Sequence, residues 1–264
     1  MPPLLFFCIL LRVKASEPTA ADRLAMRERP AGWPIMYQNW GKLLFMHWRI
    51  DEKLLRPLIP PPLEIDTYDG SAWIAVVPFT MWGIRASFLP PIPGTSTFHE
   101  LNVRTYVHHR GVPGVLFLSL DAASRFAVWG ARTFYHLPYF NAHMSLNQAN
   151  NEIDYSSTRR DASRDNRGAA AQLNCAWRIC EPLPQTVPDS LEFFLTERYA
   201  LDTVHNGMLY RARIHHHPWP LRTAELTSLN SSMIEAQGLP TPEGDPLLHY
   251  AEEISVEIWP LKKI

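Results

Sequence analysis

Residues 100–107 read Glu-Leu-Asn-Val-Arg-Thr-Tyr-Val, and this octet guides the interpretation of the whole chain. Successive side chains of a β-strand point to opposite faces, so a strand here would carry its four polar side chains in one row. The row consists of Glu100, Asn102, Arg104 and Tyr106. A carboxyl, an amide, a guanidinium and a phenol in one row suggest the lining of a polar cavity. A half-buried strand with one solvated face is the alternative.

The composition favours an all-β or β-dominated domain, and with the few helices predicted below the expected fold class is β-dominated α+β. Of 264 residues, 46% are hydrophobic, which is enough for one large core. The 24 prolines argue against a helical bundle, because proline interrupts helices. With 25 basic against 26 acidic residues and no run of Lys or Arg, no nucleic-acid partner is expected.

The first residues resemble a targeting segment only in part. Residues 4–11 are apolar, as in the centre of a signal peptide, but no basic residue precedes them. The stretch is also too short to span a bilayer. We therefore expect residues 1–21 to be an unstructured lead or mis-started extension, and residues 22–264 to form a single domain. We expect a cytoplasmic protein without a membrane span, with a signal peptide as the alternative.

Turn and cap signals predict the order of the elements. The Asp69-Gly70 turn predicts a hairpin of strands 63–67 and 72–82. Helix caps are predicted at Asp51, at Asp121, and at either Asp189 or Ser190. The helix after Asp121 is predicted at 122–135, and the helix after Asp189 or Ser190 at 191–198. A further helix is predicted near 22–29, and a polar loop at 159–167. Other strands are predicted at 41–49, 100–107, 115–120, 142–146, 152–157, 169–178, 208–215, 222–226 and 249–259.

Cysteines and histidines do not suggest a metal or redox centre. Cys175 and Cys180 are too widely spaced for a redox pair, so we expect buried or partly buried thiols. His215 and His217 would share a strand face, but no third ligand is spaced to complete a metal site. The sequence contains no dinucleotide fingerprint, phosphate-binding loop or esterase elbow. We expect neither a metal nor a cofactor.

Several long segments resemble one family of uncharacterised bacterial proteins, the YqjF-like proteins, over about residues 22–259. These segments are 43–48, 65–70, 73–79, 100–107, 114–121 and 131–139. The family is similar, more distantly, to acetoacetate decarboxylases. That resemblance implies a β-cone or barrel-like sheet with an internal cavity and a few peripheral helices. Those decarboxylases assemble into oligomers, so a homo-oligomer is an open expectation here.

The resemblance also identifies a departure. In acetoacetate decarboxylases a Gly-Arg-Glu segment is followed by Pro-Lys-Lys, and the first lysine forms a Schiff base. The corresponding segments here are 131–133, which keeps Arg132, and 138–140, where Tyr139 and Phe140 replace the lysines. No lysine occurs between residues 54 and 261, although Lys42 and Lys53 lie near the first strands. We therefore do not expect Schiff-base decarboxylation.

With the resemblance included, the octet is expected to face a cavity. Glu100 is a candidate general acid or base, with its pKa either raised by burial or lowered by Arg104. Tyr106 and Tyr139 are candidate donors to an oxyanion, and buried tyrosines with satisfied hydroxyls are the alternative. Arg104 and Arg132 are candidate carboxylate ligands. For Arg132 a salt bridge or helix-end hydrogen bond is the alternative. The remaining candidates for ligand contact are Asn102, His47 and Ser119.

Three classes of function remain open at this point. The first is an enzyme acting on a small carbonyl or carboxylate compound by acid–base and oxyanion chemistry, without a Schiff-base lysine. The second is a non-catalytic protein that binds a small ligand in the same cavity. The third is a structural or interaction module, which would place the polar row on an open surface. One fold can host all three, so the geometry of the site must distinguish them.

Overall fold

The computed structural model describes residues 17–91, 96–160 and 169–264. These residues form thirteen β-strands and four α-helices. The strands are β1 Met36–Ile50, β2 Glu64–Ile65, β3 Ala72–Ala86, β4 Phe98–His109, β5 Val112–Ala122, β6 Tyr139–Ala149, β7 Glu152–Arg159, β8 Gln172–Pro182, β9 Ala200–His205, β10 Met208–His215, β11 Leu221–Ser231, β12 Leu247–Ile258 and β13 Lys262–Lys263. The helices are α1 Ala20–Ala25, α2 Glu52–Leu55, α3 Arg125–Phe134 and α4 Leu191–Thr196. The predicted β-dominated α+β class is confirmed.

The strands join into one sheet whose pairings close two rings. The larger ring runs β5–β6–β7–β8–β11–β12–β1–β3–β4 and returns to β5. The smaller ring runs β5–β9–β10–β12–β1–β3–β4 and also returns to β5. Strands β12, β1, β3, β4 and β5 therefore form a wall shared by both rings.

This shared wall explains why the octet is buried on both faces. Leu101, Val103 and Val107 pack into the core of the larger ring. Tyr106 packs on the other side, against Phe194 of α4. A strand covered on both faces does not show one wet face. The alternative of a half-buried strand with a solvated face is therefore wrong, because every residue from 100 to 107 is buried.

Two of the predicted helix starts are confirmed by their capping contacts. The backbone N–H of Lys53 donates to the Asp51 carboxylate at 2.8 Å, at the start of α2. At the start of α4, the backbone N–H of Phe193 donates to the Ser190 hydroxyl at 3.1 Å. Each bond satisfies a helix N–H group that has no partner within the helix.

The predicted cap of α3 is wrong. Asp121 lies in β5, which continues to Ala122, and it forms a buried ion pair with Arg159 (Oδ1 to Nε 2.8 Å). The helix begins three residues later than predicted, and the Ser124 hydroxyl caps it by accepting from Ala127 N at 3.3 Å. The pairing of β5 with β4 competes with helix formation over residues 121–122 and prevails.

The predicted hairpin is also wrong, because its first strand pairs with a different strand. Asp69 and Gly70 do adopt positive φ angles of 50° and 69°, as a tight turn requires, but the turn closes only the bridge between Tyr68 and Ser71. Strand β2 pairs with β4 instead, with Ile65 opposite Val107. The turn is encoded locally, whereas the partner of β2 is fixed by the sheet.

The remaining differences are at the ends of elements. Helix α1 begins at Ala20, with a reciprocal cap between Thr19 and Asp22, so it starts inside the predicted lead. The rest of that lead, residues 1–16, lies outside the described residues, as do residues 161–168 of the predicted polar loop. Strand β9 was not predicted. Cys175 is buried and Cys180 partly buried, and both are free thiols, as expected.

Candidate functional site

The octet alternates between the two rings, and its polar row faces the smaller one. Arg104 and Tyr106 both reach the backbone carbonyl of Leu195 in α4, at 3.2 Å and 2.8 Å. Glu100, at the other end of the row, contacts Tyr139 at the start of β6. The row is therefore enclosed between the shared wall on one side and α4 with the start of β6 on the other.

Arg104 is a buried cation without a counter-charge. Its exposed fraction is 9%, and it lies over the ring of Phe45, with 5.2 Å between the guanidinium carbon and the ring centroid. Within the described part of the chain, its Nε has no hydrogen-bond partner and it forms no ion pair. A buried charge is costly unless it is paired. Arg104 is thus available to an anionic ligand.

In the sheet, only the small residue Ala75 separates His47 from Arg104. His47 is opposite Ala75 in β3, and Ala75 is opposite Arg104 in β4. Neighbouring strands are about 4.8 Å apart, so the Cα atoms of His47 and Arg104 are roughly 10 Å apart. Ala75 is the only small side chain between these two larger ones. The sequence did not identify Ala75, because its importance comes from pairing across three strands.

The hydroxyl proton of Tyr106 is already committed to a hydrogen bond. The Leu195 carbonyl can only accept, so the Tyr106 hydroxyl donates to it. The 2.8 Å contact between His47 Nε2 and the phenol oxygen then requires the imidazole to donate. This arrangement matches the expected alternative of a buried tyrosine with a satisfied hydroxyl, rather than a free oxyanion donor.

The two histidines on this face are neutral near pH 7. Burial, followed by the positive charge of Arg104, lowers the pKa of His47 well below its usual value. His249 in β12 packs edge-on against His47, and burial lowers its pKa as well. The sequence missed His249, because only the pairing of β12 with β1 brings it here. Arg104 is therefore the cation next to two neutral imidazoles.

Glu100 forms the acidic end of the row. It is 3% exposed, and the Tyr139 hydroxyl donates to its Oε2 at 2.7 Å. Burial raises the pKa of Glu100 to about 8; the hydrogen bond from Tyr139 opposes the rise and the Asp121 charge adds to it. Arg104 is not among the groups that shift this pKa. Burial thus prevails, and near pH 7 Glu100 is a protonated carboxylic acid.

Arg132 and Ser119 have other contacts. Arg132, in the last turn of α3, donates from Nε to the backbone carbonyl of Tyr139 at 2.7 Å, which positions that residue. This is the helix-end hydrogen bond considered as the alternative. Ser119 pairs with Val103 and accepts from Gln237 Nε2 at 3.0 Å, so it faces the larger ring. The structure does not bring Ser119 to the polar row.

Polar atoms without partners converge on the face of the smaller ring. In the described residues, Asn102 Oδ1 and His249 Nδ1 are buried and form no hydrogen bond, as is also true of Arg104 Nε. Most buried polar atoms in proteins are hydrogen-bonded. Three such atoms therefore share the face that carries Arg104, which leaves hydrogen-bonding capacity unused on that face.

Other candidate chemistry is not assembled in the described ranges. They contain no cluster of three or more His, Cys, Asp and Glu side chains suited to a metal ion. Lys42 pairs with Glu252, and Lys53 is exposed on α2, so neither lysine reaches the polar row. None of the helices in those ranges is both long and apolar enough to cross a membrane.

The fold belongs to the acetoacetate decarboxylase-like class. A structure of the enduracididine biosynthesis enzyme MppR complexed with pyruvate has a TM-score of 0.60 at 12% identity, covering 89% of this chain and 93% of that one. An acetoacetate decarboxylase structure has a TM-score of 0.59 at 16% identity, covering 89% and 90%. The acetoacetate decarboxylase of Legionella pneumophila has a TM-score of 0.55 at 11% identity, covering 94% and 96%. At these identities the likeness shows the fold alone.

Residues 37–255 match DUF2071, a family described as an uncharacterised conserved protein, and the chain belongs to this family. It is also 47% identical over 234 residues to the uncharacterised protein YqjF of Bacillus subtilis (strain 168). The match covers 89% of this chain and 94% of YqjF. The resemblance expected from the sequence is confirmed, both to the YqjF-like proteins and to the decarboxylase fold.

Proposed function

We propose that this protein binds a small oxo- or hydroxycarboxylate between α4 and the shared wall, and transfers a proton to or from it through Glu100. The observation that carries this proposal is the buried Arg104 guanidinium, which forms no ion pair among the described residues and whose Nε has no hydrogen-bond partner there. A carboxylate would supply the missing counter-charge and accept from Nε.

Glu100 supports the catalytic part of the proposal. A carboxylic acid that is protonated near pH 7 can donate to a carbonyl or hydroxyl oxygen, and a pKa of about 8 suits reversible proton transfer. The bound pyruvate in the MppR structure shows that another protein of this fold accommodates an oxo acid. The sequence resemblance aligns Tyr139 and Phe140 with the decarboxylase lysines, so the proposed chemistry does not include a Schiff base.

Binding is tested by thermal unfolding with added oxo- and hydroxycarboxylates. A ligand at 100 times its Kd stabilises the folded state by about 2.7 kcal/mol. We expect this stabilisation in the wild type and its loss in Arg104→Met, which keeps the packing against Phe45. The matched control is Arg178→Met, which removes an exposed arginine. Stabilisation that persists in Arg104→Met would contradict the proposal.

The fold of Arg104→Met should be intact. No carboxylate among the described residues loses its partner, and the Leu195 carbonyl keeps the hydrogen bond from Tyr106. Removing a buried unpaired charge is expected to be neutral or stabilising. A loss of binding with an unchanged or higher melting temperature therefore identifies a ligand contact rather than a structural defect.

Proton transfer is tested by deuterium exchange at the carbons beside the ligand carbonyl, followed by NMR in D2O. The ionised fraction of Glu100 would remove a proton from the carbon and, after exchange with solvent, return a deuteron to it. We expect exchange with the wild type and none with Glu100→Gln, whose amide can still accept from Tyr139 and donate to the ligand. The second candidate function is a non-catalytic binding protein, favoured by the replacement of both decarboxylase lysines. In that case the wild type and Glu100→Gln would bind equally well and neither would catalyse exchange.

A further inference from the structure

The two ends of the polar row are held apart. Glu100 and Arg104 are four residues apart on β4, so their Cα atoms are separated by roughly 13 Å. Arg104 bonds to the Leu195 carbonyl, which also accepts from Tyr106, at the end of the row away from Glu100. Glu100 bonds to Tyr139. Each functional group is therefore fixed at its own end of the site.

Between these ends the face is mostly apolar. Phe45, Ala75 and Val77 are at most 1% exposed and belong to one apolar cluster on this side of the sheet. Asn102 lies between Glu100 and Arg104 in the row, and its Oδ1 has no partner among the described residues. A methylene chain lying along this face would meet these apolar side chains and, at Asn102, one polar group.

We infer that the ligand is an elongated monocarboxylate, bound along β4 with its carboxylate on Arg104 and a carbonyl or hydroxyl oxygen on Glu100. This inference rests on the proposed function and adds the length of the ligand. Because Glu100 accepts from Tyr139 through Oε2, it has its own proton left to donate, so the ligand oxygen must be an acceptor.

The spacing sets the length of that ligand. We take the Cα separation of roughly 13 Å as the spacing between the Glu100 carboxyl and the Arg104 guanidinium. A hydrogen bond of about 2.8 Å at each end then leaves roughly 7 Å for the ligand itself. An extended chain advances about 1.2 Å per bond. About six bonds therefore separate the two ligand oxygens, as in a 5-oxo acid. A 2-oxo acid such as pyruvate would reach only one end of the row.

The test is a set of dissociation constants at pH 6.5 for pyruvate, 4-oxopentanoate, 5-oxohexanoate, 6-oxoheptanoate and hexanoate. Hexanoate has the length of 5-oxohexanoate without the oxo group, so it controls for apolar contact. We expect 5-oxohexanoate to bind at least tenfold more tightly than either pyruvate or hexanoate. Equal binding of pyruvate and 5-oxohexanoate, or of 5-oxohexanoate and hexanoate, would overturn the inference.

Variants of Glu100 test the role assigned to it. In Glu100→Leu, 5-oxohexanoate and hexanoate should bind with about equal dissociation constants. In Glu100→Gln, 5-oxohexanoate should still bind more tightly than hexanoate. If Glu100→Leu does not fold, the same question is answered by pH. The wild-type advantage should fall above pH 8, where Glu100 ionises, and that of Glu100→Gln should not. A pH-independent advantage in the wild type would overturn the inference.

The outcomes separate the inference from the proposed function. If short and long acids bind equally and Arg104→Met abolishes both, the carboxylate site stands and the length inference fails. If no acid binds the wild type, or binding survives in Arg104→Met, both fail. Ser119→Ala serves as a control, since Ser119 faces the larger ring and its loss should leave the whole series unchanged.

Discussion

Replacing Glu100 by Gln should make the protein more stable at neutral pH. The buried carboxyl has a pKa of about 8, against an ordinary value of 4.5. Between pH 4.5 and 8 the unfolded chain releases this proton while the folded protein keeps it, so the free energy of unfolding falls as pH rises. At up to 1.36 kcal/mol per pH unit, the fall from pH 4.5 amounts to about 3 kcal/mol by pH 7 and about 4 kcal/mol by pH 8, because the group is half-protonated in the unfolded chain at pH 4.5 and in the folded protein at pH 8.

Glu100→Gln removes this dependence, because an amide does not ionise and can keep the bond with Tyr139. Relative to the difference at pH 4.5, the variant should therefore gain about 3 kcal/mol over the wild type by pH 7. Such a change is a large fraction of the stability of a typical domain. The assay is urea denaturation at pH 4.5, 5.5, 6.5, 7 and 8, with the slope m checked for constancy.

The control is Glu253→Gln, which changes the charge equally at an exposed position of β12. Its curve of stability against pH should run parallel to that of the wild type over this range. If the curve of Glu100→Gln is also parallel to the wild type, Glu100 is ionised in the folded protein. The acid assigned to this end of the site would then be absent.

Three further changes test the surroundings of the site. Tyr139→Phe removes a hydrogen bond that lowers the pKa of Glu100, so the pH range over which 5-oxohexanoate binds should extend upward; an unchanged range would contradict the contact. Asp66→Asn leaves the buried Arg198 without its anion and should cost about 3–5 kcal/mol in urea denaturation; a cost below about 1 kcal/mol would contradict that ion pair. Ala75→Leu should abolish ligand binding yet cost less than the about 1–3 kcal/mol typical of overpacking, because the added carbons enter ligand space; a larger cost with binding retained would show that no such space exists.

The strand that carries the octet could be predicted from sequence because its signal is local. Alternation of polar and apolar residues over 100–107 has the period of a strand, and the structure keeps that alternation between the two rings. The Asp69-Gly70 turn is equally local and forms as predicted. Caps at Asp51 and Ser190 depend on one side chain and the next turn of helix.

What the sequence did not provide depends on pairing between distant strands. Burial of the polar row on its second face requires β9 and β10 to close the smaller ring. Burial raises the pKa of Glu100, a question the sequence left open. Ser119 was assigned to the wrong face, because its register against Val103 includes a bulge in β5 that no local pattern reveals.

The positions of His249 and Asp121 also depend on pairing between strands rather than on local sequence. His249 enters the site through the pairing of β12 with β1, about 200 residues apart in sequence. Asp121 was predicted to cap a helix because an aspartate before small residues is a local cap signal. The ladder between β5 and β4 instead keeps it in a strand, where Arg159 pairs with it.

The most direct test of the carboxylate site is a crystal structure of the protein with 5-oxohexanoate. We expect a carboxylate oxygen about 2.7–2.9 Å from a guanidinium nitrogen of Arg104. We also expect the oxo oxygen within hydrogen-bond distance of Glu100. A ligand bound elsewhere, or an Arg104 paired with a carboxylate of the protein itself, would contradict the account.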